Sequence, residues 1–187
     1  MSTIQLQFKT LIHKMAYVKA DLEYHRAEHA ERKRIFHEDV GKFIEDSKYV
    51  FSSSKASKNM VDIYKKTPAV ELPEVEQQTK EIFKKVAKMT HPDIDRNNHH
   101  ENKFIEAREA LDGNDWFSMY KIGTDLGIDI TGITIGHVKW LKQEITMIEH
   151  IIKGIVTTFE WIYSNEGANK EQLLTTYCML TCKLKDE

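Results

Sequence analysis

His91, Pro92 and Asp93 stand together, and Asp95, His99 and His100 follow within the next seven residues. Imidazole and carboxylate groups this close can ligate a metal or move a proton, so each chemistry has to be weighed. Asp93, Asp95 and Asn97 occupy the first, third and fifth places of a calcium loop. Its twelfth place holds Phe104, where calcium needs a bidentate glutamate. Zinc is disfavoured because adjacent histidines rarely point at one ion and no cysteine lies near. A hydrolase built on His91 and Asp93 needs a third group and a pocket, and the sequence offers neither. The segment reads as a solvated loop, with no metal, no cofactor and no catalytic centre expected. Cys178 and Cys182 match neither a CxxC pair nor a four-ligand set and read as reduced thiols on one helix.

The elements that position His91-Pro92-Asp93 are legible on both sides. Upstream, Val75, Ile82, Phe83, Val86 and Met89 share one helical face, while Lys80, Lys84 and Lys88 recur every four residues on another, with Lys85 beside them. Proline disfavours helical geometry in the residue before it, so this helix should stop near Thr90. Downstream, Asn98 and Glu101 form a capping-box pattern, and Phe104, Ala107, Ala110 and Leu111 make an apolar face. The expected product is an antiparallel helical hairpin with His-Pro-Asp at its tip.

Two further segments carry heptad spacing. Ile4, Phe8, Leu11, Met15, Val18, Leu22, His25, His29, Arg32, Phe36, Asp39 and Phe43 form a seam that is polar in its middle. A helix from Thr3 to Asp46 would reach roughly 65 Å at about 1.5 Å per residue, and it needs a partner. Val138, Leu141, Ile145, Ile148, Ile152, Ile155, Phe159 and Ile162 supply an unbroken apolar seam, with Thr134 placed to cap its start. A last helix over about 170–184 carries Leu173, Tyr177, Leu180 and Leu184 on one stripe. The serine-rich Ser52–Asn59 reads as a joint, and the glycine-punctuated Leu126–Gly136 as a loop. The expected architecture is all-α: a stalk made by residues 1–58 and 128–187, with residues 59–127 inserted.

Apolar residues are 41%, charged residues 30%, and the 187-residue chain holds 8 glycines and 3 prolines, a balance that favours long helices. A net charge of −2 gives no global pull toward nucleic acid or an anionic membrane. Trp116, Trp140 and Trp161 lack a basic surround and read as packing residues. The apolar stretch Ile145–Ile162 contains Glu149, His150, Lys153 and Glu160, too many charges for a bilayer span. No secretory signal is expected in the first twenty residues, and a reducing, cytoplasmic setting fits the thiols.

FKKVAKMTHPD and KFIEAREAL, read together, resemble the second and third helices of the J-domain, the module by which co-chaperones engage DnaK-type ATPases. GNDWFSMYKIGTDLGI is similar to the continuation found in some small prokaryotic J-proteins. The resemblance covers about 65 residues. It implies that His91, Pro92 and Asp93 trigger ATP hydrolysis in a DnaK-type partner, with Asp93 accepting hydrogen bonds from a partner arginine. It also implies that Lys80, Lys84, Lys85 and Lys88 dock an acidic surface of the ATPase, with the stalk left to hold a client. The alternative expectation is an interaction scaffold that keeps the J fold without activating a chaperone. The heptad seam can close within one chain or between two, so a homodimer is one of two outcomes the spacing allows.

Overall fold

The computed structural model describes residues 2–47, 49–51, 74–91 and 101–184. Those residues form seven helices and two short strands. In chain order these are α1 (Thr3–Glu45), β1 (Tyr49–Phe51), α2 (Glu74–Thr90), α3 (Glu101–Asp112), α4 (Trp116–Asp125), α5 (Ile135–Val156), α6 (Phe159–Tyr163), α7 (Lys170–Thr181) and β2 (Cys182–Leu184). The protein is therefore mostly helical, and among the described residues no helix is long and apolar enough to cross a membrane. The expected joint Ser52–Asn59 and the expected cap Asn98 lie outside the described residues.

Two compact units divide the chain. One comprises Met1–Val18 with Pro68–Thr146, the other Lys19–Thr67 with Met147–Glu187. Residues 68–127 of the segment expected as an insert thus share a unit with the first turns of α1 and the first half of α5.

In the first unit α1 starts with a reciprocal cap. The Ser2 amide donates to Gln5 Oε1 (2.7 Å), and the Gln5 amide donates to Ser2 Oγ (3.2 Å). Phe8, Ile12, Met15 and Val18 on its inner face are buried. Phe8 sets its ring edge-on to Tyr120 of α4 at 5.2 Å. α2, α3 and α4 pack against one another. α2 and α3 run in opposite directions: the end of α2 meets the start of α3 at His91 and Phe104, while Glu76 and Thr79 line a groove with Leu111 and Asn114. A tight turn joins α3 to α4. Asn114 takes φ 51, the Asp115 amide donates to the Ala110 carbonyl (2.7 Å) and the Asn114 amide to that of Leu111 (3.2 Å). Asp115 then caps α4 by accepting from the Ser118 amide at 3.1 Å.

Residues 127–134 form neither helix nor strand, and Thr134 stands directly before α5. His137 completes the helix start by accepting from the Thr134 amide at Nδ1 (3.2 Å). That histidine plays the part a glutamate plays in an ordinary capping box.

The core of the second unit is Phe36, Val40, Ile44, Tyr49, Tyr163, Leu174 and Cys178. Phe36 lies edge-on to Tyr163 at 5.2 Å and to Tyr177 at 4.9 Å. The polar middle of the α1 seam has its own partners here. His25 stacks on Trp161 at 5.1 Å, and Arg32 sits 4.2 Å over the same ring. Arg32 also donates to the Trp161 carbonyl (3.2 Å) and to Asn165 Oδ1 (3.1 Å). The seam turns polar because its counterpart offers an indole face and backbone oxygens.

Four expectations for the C-terminal segments need correction. The helix that heptad spacing runs unbroken to Ile162 breaks at Thr157 and Thr158. The Thr157 hydroxyl donates back to the Lys153 and Gly154 carbonyls (3.1 and 2.9 Å), and Thr158 Oγ1 accepts from the Trp161 amide to cap α6 (3.3 Å). Threonine hydroxyls compete for backbone partners in this way, so the helix restarts and Tyr163 is buried while Ile162 is exposed. The last helix stops at Thr181 rather than Leu184. Cys182 turns extended (φ −107, ψ 166) and β2 pairs antiparallel with β1, Tyr49 opposite Leu184 and Phe51 opposite Cys182. The two cysteines therefore sit on a helix and a strand, both as free thiols. Leu180, expected on the buried stripe, is exposed.

Candidate partner-docking site at the end of α2

The inner face of α2 is fixed by more than apolar packing. Ile82 and Val86 are buried, but so are Gln78, Thr79 and Thr90. The Tyr120 hydroxyl donates to Gln78 Oε1, and Gln78 Nε2 donates to the Gly132 carbonyl (3.0 Å). One buried amide thus ties α2 to α4 and to the 127–134 loop, and burying it is tolerable because both its ends are bonded. Nothing in the apolar periodicity marks Gln78 for this. Gly132 (φ +78), where a Cβ would lie 2.8 Å from Gln78 Nε2, is the only trace of the close approach in the sequence. Phe83 is half-buried, and Met89, expected on the buried face, is about half exposed (48%).

The helix ends as its sequence predicts. Thr90 is fully buried, with its hydroxyl donating to the Val86 carbonyl (2.9 Å), and the His91 amide makes a last helical bond to Ala87 (3.0 Å). His91 is half-buried, and its ring lies edge-on to Phe104 of α3 at 5.0 Å and 75°. Phe104 also lies 6.3 Å from Phe83, two turns back along α2. An aromatic side chain on α3 therefore fixes the ring that begins the His-Pro-Asp motif. Pro92, Asp93, Asp95, His99 and His100 lie outside the described residues.

The four lysines do not act alike. Lys80 pairs with Glu76 one turn away (2.6 Å). Lys85 is half-buried and donates to the Asp129 carbonyl (2.7 Å), where it holds the loop before α5. Lys84 and Lys88 are exposed. Spacings of four and three put Lys84, Lys88 and His91 along one side of α2. What the geometry assembles is a strip with two cations leading to a fixed imidazole.

No family model, curated protein or solved structure matches this chain.

The residues expected at a stalk interface divide between the units. Val138, Leu141 and Ile145 are buried in the first unit, Ile148 and Ile155 in the second. Ile152 and Phe159 are half-buried, and Ile162 is 39% exposed. Glu160 of α6 lies 3.9 Å from both His29 and His37 of α1, and burial pushes the His37 pKa down more than Glu160 raises it. Burial, and then the neighbouring Cys182, push the Cys178 thiol up to about 11, which leaves it protonated and unreactive near neutrality.

Proposed function

We propose that this protein is a J-domain-type co-chaperone that stimulates ATP hydrolysis by a DnaK-type partner. In this reading α2 and α3 are the J-like hairpin, and the long helices α1 and α5 supply the stalk surface that binds a client. The observation that carries the reading is the placement of His91. It closes a helix with an exposed cationic side, it is held against Phe104 of the opposing helix, and Pro92 and Asp93 follow it in sequence. Lys84 and Lys88 steer the acidic face of the ATPase onto α2, and Asp93 accepts from a partner arginine in a charge-assisted bond. Lys80 and Lys85, already engaged within the chain, contribute less.

ATP turnover by a DnaK-type chaperone, measured with and without this protein, tests the proposal. Stimulation is expected, and His91→Gln abolishes it while leaving helical circular dichroism unchanged. No stimulation by the wild-type chain overturns the reading and leaves an interaction scaffold with a J-like hairpin.

A further inference from the structure

The chain holds two cysteines, and both lie in the second unit, four residues apart. Cys178 is fully buried in the core of that unit, where its use as a small apolar side chain is explanation enough. Cys182 has no such explanation. It is half-buried at the point where α7 gives way to β2, opposite Phe51, and is the more accessible of the two.

The backbone sets how far apart the two residues stand. The Cys182 amide donates to the Cys178 carbonyl, which closes the last turn of α7 and holds the two Cα atoms about 6 Å apart. A disulfide spans about 4.4–6.8 Å between Cα atoms, so the pair is within reach. In a continuous helix the Cβ atoms would still lie about 5–6 Å apart, beyond the roughly 3.5–4.5 Å a disulfide needs. Helical geometry ends at Cys182, however. Its φ is −107 rather than about −63, which turns its Cβ by about 45° around the N–Cα bond. The sulfurs meet as a result: Cys182 acts on the Cys178 thiol both as a charge and as a side-chain hydrogen-bond partner. The charges of both sulfurs also reach the Tyr177 hydroxyl.

Unequal burial divides an exchange reaction between the two thiols. Cys178, protonated and buried, is closed to an outside oxidant, so the first bond forms on Cys182. The Cys182 thiolate attacks one sulfur of a small disulfide such as oxidised glutathione, expels one glutathione thiolate and is left as a mixed disulfide. Cys178 then loses its proton, attacks Cys182 Sγ and expels the second glutathione thiolate. The two released thiolates take up the two protons. Two protein thiols are oxidised, and one oxidised glutathione is reduced to two glutathiones. Burial holds the Cys178 thiol protonated first and the Cys182 charge second, and the second influence is gone once Cys182 carries the adduct.

We infer that Cys178 and Cys182 form a reversible disulfide at the junction of α7 and β2, made by exchange with a small oxidised thiol. The bond fastens the end of α7 to the strand that pairs with β1, and it is independent of any chaperone partner. Reduced full-length protein is incubated with oxidised glutathione, and its peptides are mapped by mass spectrometry over time. A transient glutathione adduct on Cys182 is expected, giving way to an internal Cys178–Cys182 bond in a monomer with no free thiol left. Dithiothreitol should return both thiols. Cys178→Ala should lose the internal bond and accumulate the Cys182 adduct, with helical circular dichroism unchanged, and Cys182→Ala should leave Cys178 reduced. The wild-type chain decides the matter whether or not either variant folds. Wild-type protein that stays reduced, that stops at the Cys182 adduct, that carries glutathione on both cysteines, or that forms disulfides only between chains would overturn the proposal.

Discussion

Tyr163 is buried in the aromatic cluster of the second unit, and its hydroxyl donates to Asp39 Oδ2 at 2.8 Å. Burial first, and the Asp39 carboxylate second, push its pKa up to about 12. Tyr177 is raised in the same direction, chiefly by burial. A tyrosine whose folded pKa lies above its ordinary value near 10 adds stability that is complete below that value. This stability is lost as pH climbs through the folded value, so the second unit should weaken between about pH 10 and 12. Absorbance titration at alkaline pH should show a late tyrosine step, and Tyr163→Phe should remove part of that step. Were all tyrosines to titrate together in the folded protein, the burial described for Tyr163 would be wrong. Neither this bond nor the stacking of His25 on Trp161 is legible in the sequence. Asp39 and Tyr163 are 124 residues apart, and heptad spacing gives Asp39 only a place on a seam and passes over Tyr163 altogether.

At the scale of elements, α2 and α4 meet where Gly123 leaves room. A Cβ there would lie 2.9 Å from Ile82 Cγ2 and 3.6 Å from Ile130 Cδ1, both atoms of packed side chains. Gly123→Ala should therefore force the two helices apart and cost about 1–3 kcal/mol, measurable by urea unfolding. An unchanged midpoint would show that the contact has slack. The helices themselves were mostly readable. Pro92 announces the end of α2, and a short polar turn separates α3 from α4. The break between α5 and α6 was hidden because the apolar seam continues past it, while the hydroxyls of Thr157 and Thr158 act on the backbone and leave no mark in apolar spacing. β1 and β2 were hidden for a different reason. Each is three residues long, too short for an alternating pattern, and each exists only because the other is beside it.

For the whole molecule, the function proposed rests on electrostatic encounter followed by a trigger at the hairpin tip. Reversing both exposed cations, Lys84→Glu with Lys88→Glu, should lower the apparent affinity for the DnaK-type partner by about tenfold or more at low ionic strength. The difference from wild type should shrink as salt rises toward 1 M, where the screening length falls to about 3 Å. A double variant that stimulates ATP turnover like wild type at low salt would remove α2 as the docking face. By itself the sequence determined the helical class, the end of α2 at Thr90 and most of the apolar faces of α2 and α3, because each depends on residues within a few turns of one another. The tertiary structure decided which polar groups those faces use. It spent Lys85 on the Asp129 carbonyl, buried Gln78 between Tyr120 and Gly132, gave the polar seam of α1 to Trp161, and left Leu180 exposed. Each of those outcomes depends on a partner distant in the chain, and short-range patterns of hydropathy and charge carry no record of it.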